Sequence, residues 1–250
     1  MFTGRSGRTI VIRAGQCPPD ALCRCFRETD RLCLWRGYLD HAKEGGTAHQ
    51  LTRSPGEESW PRFSPDGKEL AFSASYNGNM DIFVISSEGG VPNRITYNSF
   101  DYRVVEWHPD GQRLLFASKR ESGRQSYSQF YLVARTGGMP EKLSVPYGEL
   151  ANFSPDGTQL AYITKITENY PFKRYRGGLS SDLLLFDMEG KQVKNLTTSH
   201  AIEGKPAWVG DQLFYLSDAG EHMRLNIWQY DLAVRSGRPK GQAGDLYGRL

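Results

Sequence analysis

A chain of 250 residues, 38% hydrophobic and 24% charged, has room for one or two globular domains and the composition of a water-soluble protein. Its formal net charge of +3 is too weak to mark a nucleic-acid-binding face, and it holds no run of about 18 apolar residues, so neither nucleic acid nor a membrane is expected as a partner. Aromatics at 12%, with 27 Gly and 13 Pro, favour strands joined by many tight turns.

The chain opens with MFTGRSGRTIVIRAGQ, whose only apolar patch is Ile10 to Ile12. A secretory core needs roughly 7–15 apolar residues, so a cytoplasmic location is expected. The next stretch is Arg-rich and carries every cysteine: Cys17, Cys23, Cys25 and Cys33. A zinc site calls for paired C-x₂₋₄-C knuckles, which the C-x₅-C-x-C-x₇-C spacing lacks. A disulfide framework calls for an oxidising compartment, for which there is no targeting signal. The third reading is that residues 1–43 are an irregular segment, disordered or translated out of frame. No metal and no cofactor are expected.

From Glu44 a repeat takes over. EGGTAHQLT closes one unit as EGGVPNRIT closes the next. The turns containing Asp66-Gly67, Asp110-Gly111 and Asp156-Gly157 then recur at intervals of about 45 residues, and a weaker fourth copy, PAWVGDQLFYLSD, follows after an insertion. Each unit reads as a short strand ending in an aromatic, a Pro-Asp-Gly turn in three of the four copies, and a second strand (ELAFS, RLLFAS, QLAYIT, QLFYLS). A third strand follows (MDIFVIS, SQFYLVA, SDLLLFD, LNIWQYD), and in the first three units a glycine turn and a short closing strand. Period-two patterning excludes helical solenoids. Four strands per unit predict an all-β protein, a β-propeller of four-stranded antiparallel blades. About four blades are recognisable, as part of a six- or seven-bladed ring. One twisted sheet cannot bury both of its faces alone, so blades stack and bury one another. The paired Asp-Gly residues are read as turn chemistry: Asp bonds the backbone ahead of it and Gly accepts φ > 0. His108 takes the Ser position of one turn and has no ligand partner at metal spacing. Asn152 and Asn195 lie in N-x-S/T triplets but belong to the repeat. After Leu232 the grammar lapses, and 233–250 are expected to form a disordered tail, which leaves 44–232 as the propeller region.

FSPDGKELAFSASYNGNMDIFVISSEGGVPNRIT resembles the repeats of TolB, tricorn proteases and prolyl oligopeptidase-like enzymes. DYRVVEWHPDGQRLLFASKRESG and NYPFKRYRGGLSSDLLLFDMEGKQVKNLT are similar to the N-terminal propeller of tricorn-type serine proteases, where a RYRGG-like stretch opens the third strand of one blade. The resemblance covers about Glu44 to Leu232. It implies a cytoplasmic serine-type peptidase with a second propeller, a PDZ-like domain and a catalytic core, none of which this stretch contains. No catalytic residue can therefore be carried onto this chain, and no G-x-S-x-G elbow occurs in it.

The insertion TKITENYPFKRYRGGLSSD interleaves Lys173, Arg174 and Arg176 with Phe172 and Tyr175. One reading is a basic rim gripping a peptide carboxylate, with Lys119, Arg120 and Arg124 on the same rim; the other is a solvated hairpin extension. The expected partners are peptides or proteins, as a steering or assembly element of a peptidase or as a TolB-like scaffold. Self-association is expected through the two blade faces that an open stack leaves bare.

Overall fold

The computed structural model describes residues 51–54, 56–123, 127–166, 180–198, 200–220 and 223–232, together with the backbone of strands outside these ranges. Those outer strands come first: β1 (Val11–Ile12), β2 (Arg24–Cys25), β3 (Asp30–Leu34), β4 (Gly37–Asp40), β5 (Gly46–Thr47) and β6 (His49–Gln50). β1 pairs with β5, and the other four form one antiparallel sheet in the order β2-β3-β4-β6. Cys25 and Cys33 fall on β2 and β3; Cys17 and Cys23 lie outside the described residues.

Four blades follow. Blade I holds β7 (Glu58–Phe63), β8 (Glu69–Ala74), β9 (Asp81–Ser86) and β10 (Asn93–Arg94). Blade II holds β11 (Tyr102–Trp107), β12 (Arg113–Ser118), β13 (Gln129–Ala134) and β14 (Glu141–Lys142). Blade III holds β15 (Leu150–Phe153), β16 (Gln159–Ile163), β17 (Leu183–Asp187) and β18 (Val193–Asn195). Blade IV holds β19 (Glu203–Val209), β20 (Gln212–Ser217), β21 (Asn226–Asp231) and β22 (Ser236–Gln242). Each is an antiparallel meander in chain order. The protein is thus an all-β propeller, with no helix among the described residues. β22 pairs with β21 from Asn226↔Gln242 to Asp231↔Ser236, although its side-chain sequence shows no alternation. Strand pairing therefore runs past both sequence-drawn boundaries, 44 and 232.

Period-two alternation gives every blade two faces, and the joints use them in strict order. Between blades I and II, Ala71, Ile82 and Val84 meet Leu114, Phe116, Tyr131 and Val133. Between II and III, Leu115, Ala117, Phe130 and Leu132 meet Leu160, Tyr162 and Phe186. Between III and IV, Ala161, Ile163, Leu183 and Leu185 meet Leu213, Tyr215 and Tyr230. In blades II to IV one face thus carries the central aromatic of the second strand, Phe116, Tyr162 or Tyr215, and that ring packs into the joint with the preceding blade, Tyr162 edge-on against Phe130 at 5.9 Å. Full burial is worth about 1.5–3 kcal/mol for each large side chain, so the joints dominate the stability of the stack.

The Asp-Gly turns close the ends of blades I, II and III where the first strand becomes the second. Ser64 Oγ donates to Asp66 Oδ1 at 2.6 Å, and the same oxygen accepts the Lys68 amide at 3.1 Å. Ser154 and Asp156 repeat the pair at 2.6 Å, with the Thr158 amide at 3.1 Å. Gly67, Gly111 and Gly157 sit at φ 71°, 67° and 73°, where an L side chain is disfavoured. These donors hold the Asp66 and Asp156 carboxyls below the usual carboxylate range, the serine hydroxyl most of all. In blade II the imidazole of His108 replaces the serine, and burial against Phe153 with Arg113 nearby lowers its pKa.

Candidate functional site

The first strands of successive blades, β7, β11, β15 and β19, pack side by side and so line the propeller axis. Three of them carry irregularities, between Ser59 and Arg62, Val104 and Glu106, and Gly204 and Ala207. A bulge twists a strand and re-aims its side chains. Trp60 lies inside the first bulge at φ 57°, a region bulky residues rarely occupy.

Polar bonds cross the joints along this axis. Arg62 Nε donates to the Val105 carbonyl at 2.7 Å, and Trp107 Nε1 returns a bond to the Arg62 carbonyl at 2.9 Å. Asn152 Nδ2 donates to Glu106 Oε2 at 3.0 Å, while Asn152 Oδ1 accepts the Trp208 amide at 2.6 Å. One asparagine thereby ties blades II, III and IV together. Its place in an N-x-S triplet is incidental to that role. Asn195, in the other triplet, bonds Asp182 and the Thr197 amide instead.

At the end of the axis opposite the Asp-Gly turns lies a cavity of about 1270 Å³. Aromatic walls come from Trp60, Tyr102, Tyr127 and Tyr147, with Phe100 at the rim. Tyr127 and Tyr147 lie against one another with centroids 5.8 Å apart, and Phe100 is 45% exposed. Cations come from Arg103 on β11, Lys119 after β12 and Lys165 after β16; Glu57, Asp101 and Glu149 supply the acids.

Arg103 is the best-held of these. Its Nη2 donates to the Glu149 carbonyl at 2.6 Å and to the Glu149 carboxylate, and its guanidinium stacks over Trp60 at 5.0 Å. Three blades meet in that contact. Burial lowers the Arg103 pKa and Glu149 counters it; an arginine in such a pair stays charged. Arg103, Trp60 and Glu149 have no local sequence signature, because blade stacking alone brings them together.

The predicted site residues are distributed as follows. Asp66, Gly67, Asp110, Gly111, Asp156 and Gly157 occupy the turns at the far end of the strands. Lys173, Arg174 and Arg176 lie outside the described residues, as does Arg124. The insertion that carries the first three leaves β16 through Lys165 and Ile166, both on the cavity wall. Lys119 reaches the same wall, whereas Arg120 turns onto the Tyr131 ring at 4.9 Å. A smaller cavity of about 400 Å³ lies between the turn ends of blades II and III, beside His108, Arg113, Asp156 and Gly157. Among the described residues no group of three or more His, Cys, Asp or Glu is placed to hold a metal ion. No described helix is long and apolar enough to cross a membrane.

Stacked four-stranded meanders around a lined axis define a β-propeller. The TolB of Acinetobacter baumannii shares this fold at a TM-score of 0.60 and 21% identity, over 95% of this chain and 56% of that one. The tricorn protease crystal structure gives 0.67 at 20% identity, over 92% of this chain and 22% of that one. Residues 35–245 match the model of the tricorn protease N-terminal beta propeller domain, and the chain belongs to that family. Tricorn protease homolog 1 of Streptomyces coelicolor is 28% identical over 191 residues, 74% of this chain but 17% of that relative. The chain thus spans about a sixth of that relative's length.

Proposed function

We propose that this chain is a non-catalytic propeller unit of a tricorn-like cytoplasmic peptidase, binding or steering peptides at the axial mouth and supporting assembly. The observation that carries the reading is the mouth itself. A cavity of about 1270 Å³ with aromatic walls and Arg103, Lys119 and Lys165 on its surface suits an extended peptide with a free carboxylate. The insertion holding Lys173, Arg174 and Arg176 springs from that wall and would extend the basic rim. On this reading the Asp-Gly turns serve the fold, and the blades between 44 and 232 are the working unit. Blade faces left bare would support self-association.

Fluorescence anisotropy with labelled peptides tests the reading on the full chain. Peptides with a free C-terminus should bind about tenfold more tightly than their amidated forms, the worth of one well-placed charge pair. Lys119→Ala and Lys165→Ala should each erase part of that difference. Equal binding of both forms, or no saturation at millimolar peptide, refutes it.

Val91 and Met139 favour a second reading, a TolB-like scaffold that docks protein partners. They are 92% and 90% exposed at equivalent turns of blades I and II. A partner captured by the native chain and lost on Val91→Ser with Met139→Ser, while peptide binding is unchanged, would support it.

A further inference from the structure

Two successive joints of the stack differ at one pair of positions. Register makes Glu69, Arg113 and Gln159 equivalent at the start of the second strand, opposite Ser86, Ala134 and Asp187. The residues one step further on, Ser87, Arg135 and Met188, are equivalent too, each amide bonding the carbonyl just before the second strand. Between blades I and II, Arg135 of the following blade reaches back to Glu69 of the preceding one, its Nη1 2.8 and 2.9 Å from the two carboxylate oxygens. Between blades II and III the same two positions hold Arg113 and Met188. A thioether offers a guanidinium no counter-charge, so the ion pair of the first joint has no equivalent in the second. Both residues line the cavity of about 400 Å³ at that place.

The cavity has walls of two kinds. Leu132, Leu143 and Phe186 are buried and Met188 half-buried, and together they form an apolar wall. Among the described lining residues with a permanent charge, only Arg113 is half-buried. Glu141, Lys142, Asp156, Glu189 and Lys191 are exposed at the rim, where solvent and salt screen them. Arg113 Nε donates to Asp110 Oδ2 at 2.9 Å, an oxygen that also faces His108 Nδ1 at 3.0 Å, and Nη2 lies 3.1 Å from the His108 ring. Nη1 is left for a guest.

We infer that this cavity binds a small carboxylic acid with an apolar body, its carboxylate on Arg113 and its body against Leu132, Leu143, Phe186 and Met188. The guest gives Arg113 the counter-charge that blade III lacks, as Glu69 gives it to Arg135 one joint earlier. A single open guanidinium edge suits a singly charged carboxylate, whereas a phosphate dianion calls for more than one cation. The volume is near the bottom of the ~300–1,000 Å³ range of small-molecule sites, which suits a free acid rather than a peptide chain. The site lies between two interior blades that pack directly on one another, apart from the axial mouth.

Methyl NMR on the full chain with isotope-labelled methionine methyls tests this, with hexanoate, hexanamide and acetate as probes. Met188 lies on this cavity and Met80 on the axial mouth, so the two sites report separately. Hexanoate should shift the Met188 methyl and saturate at millimolar concentration, the strength open to so few atoms. Hexanamide lacks the charge and acetate the apolar body, and each should bind at least tenfold more weakly. Arg113→Gln should reduce hexanoate to the level of hexanamide. Should that variant fail to fold, the three probes on the wild type still decide. A Met188 methyl that does not move, equal binding of hexanoate and either other probe, or hexanoate shifts at Met80 alone would overturn the inference. The peptide reading of the mouth stands or falls separately, on anisotropy and on Met80.

Discussion

Asn152 is the residue whose loss most directly tests the axial architecture. Asn152→Ala deletes a 3.0 Å bond to the Glu106 carboxylate and the 2.6 Å acceptor of the Trp208 amide. A bond to a charged group is worth about 1.5–3 kcal/mol and an amide left without its acceptor costs about 1–3 kcal/mol. Asn152 is half-buried and water can replace part of this, so the expected loss is about 2–4 kcal/mol. With a urea slope of ~2 kcal/mol/M, the midpoint should fall by roughly 1–2 M at unchanged slope. Asn152→Asp is the sharper variant. It keeps an acceptor for Trp208 but sets a second carboxylate against Glu106. Two like charges raise each other's pKa in the folded state. The native state then holds protons more tightly than the unfolded one, so the penalty is full at neutral pH and relieved on acidification. Urea titrations from about pH 7 down to about 4.5 should show Asn152→Asp gaining on Asn152→Ala as pH falls. If Asn152→Ala stays within about 0.5 kcal/mol of wild type, the axial network is not what couples blades II to IV.

The turns give three further expectations. Asp66 and Asp156 are held below their ordinary pKa, mainly by Ser64 and Ser154, so the unfolded chain binds more protons. Their contribution is present above an unfolded pKa of about 3.9 and lost as pH falls through the lower folded value; Asp66→Asn with Asp156→Asn should flatten the acid limb of the melting curve. His108 is shifted down, first by burial and then by Arg113, so stability should decline as pH drops below about 6.5. His108→Ser restores the residue used by the sister turns and should remove that decline. Gly157→Ala should destabilise by about 1–3 kcal/mol in thermal melts, because φ is +73° and the new Cβ would stand 2.8 Å from the His108 ring. An unchanged melting temperature would show that the turn and ring yield without cost.

The turns and the joints were legible because both rest on local rules. Pro-Asp-Gly after an aromatic specifies a hairpin by itself, and alternation along ELAFS or QLAYIT assigns each residue to a face before the blades are stacked. The axis was not legible, for a physical reason. Arg62, Glu106, Asn152 and the Trp60–Arg103–Glu149 contact pair residues from different blades, and bulges that leave no mark on alternation turn the strands that carry them. Asn152 was visible in the sequence only as part of a triplet. β22 escaped for the converse reason: an edge strand can be held by backbone bonds to β21, and its own side chains need show no alternation. The same distinction bears on the mouth. Its scaffold follows from the repeat, but its charges lie on strand ends and loops, where the repeat imposes little, so Lys119 and Lys165 are free to differ between propellers that fold alike. Specificity in such a fold should be sought where the blade grammar is silent.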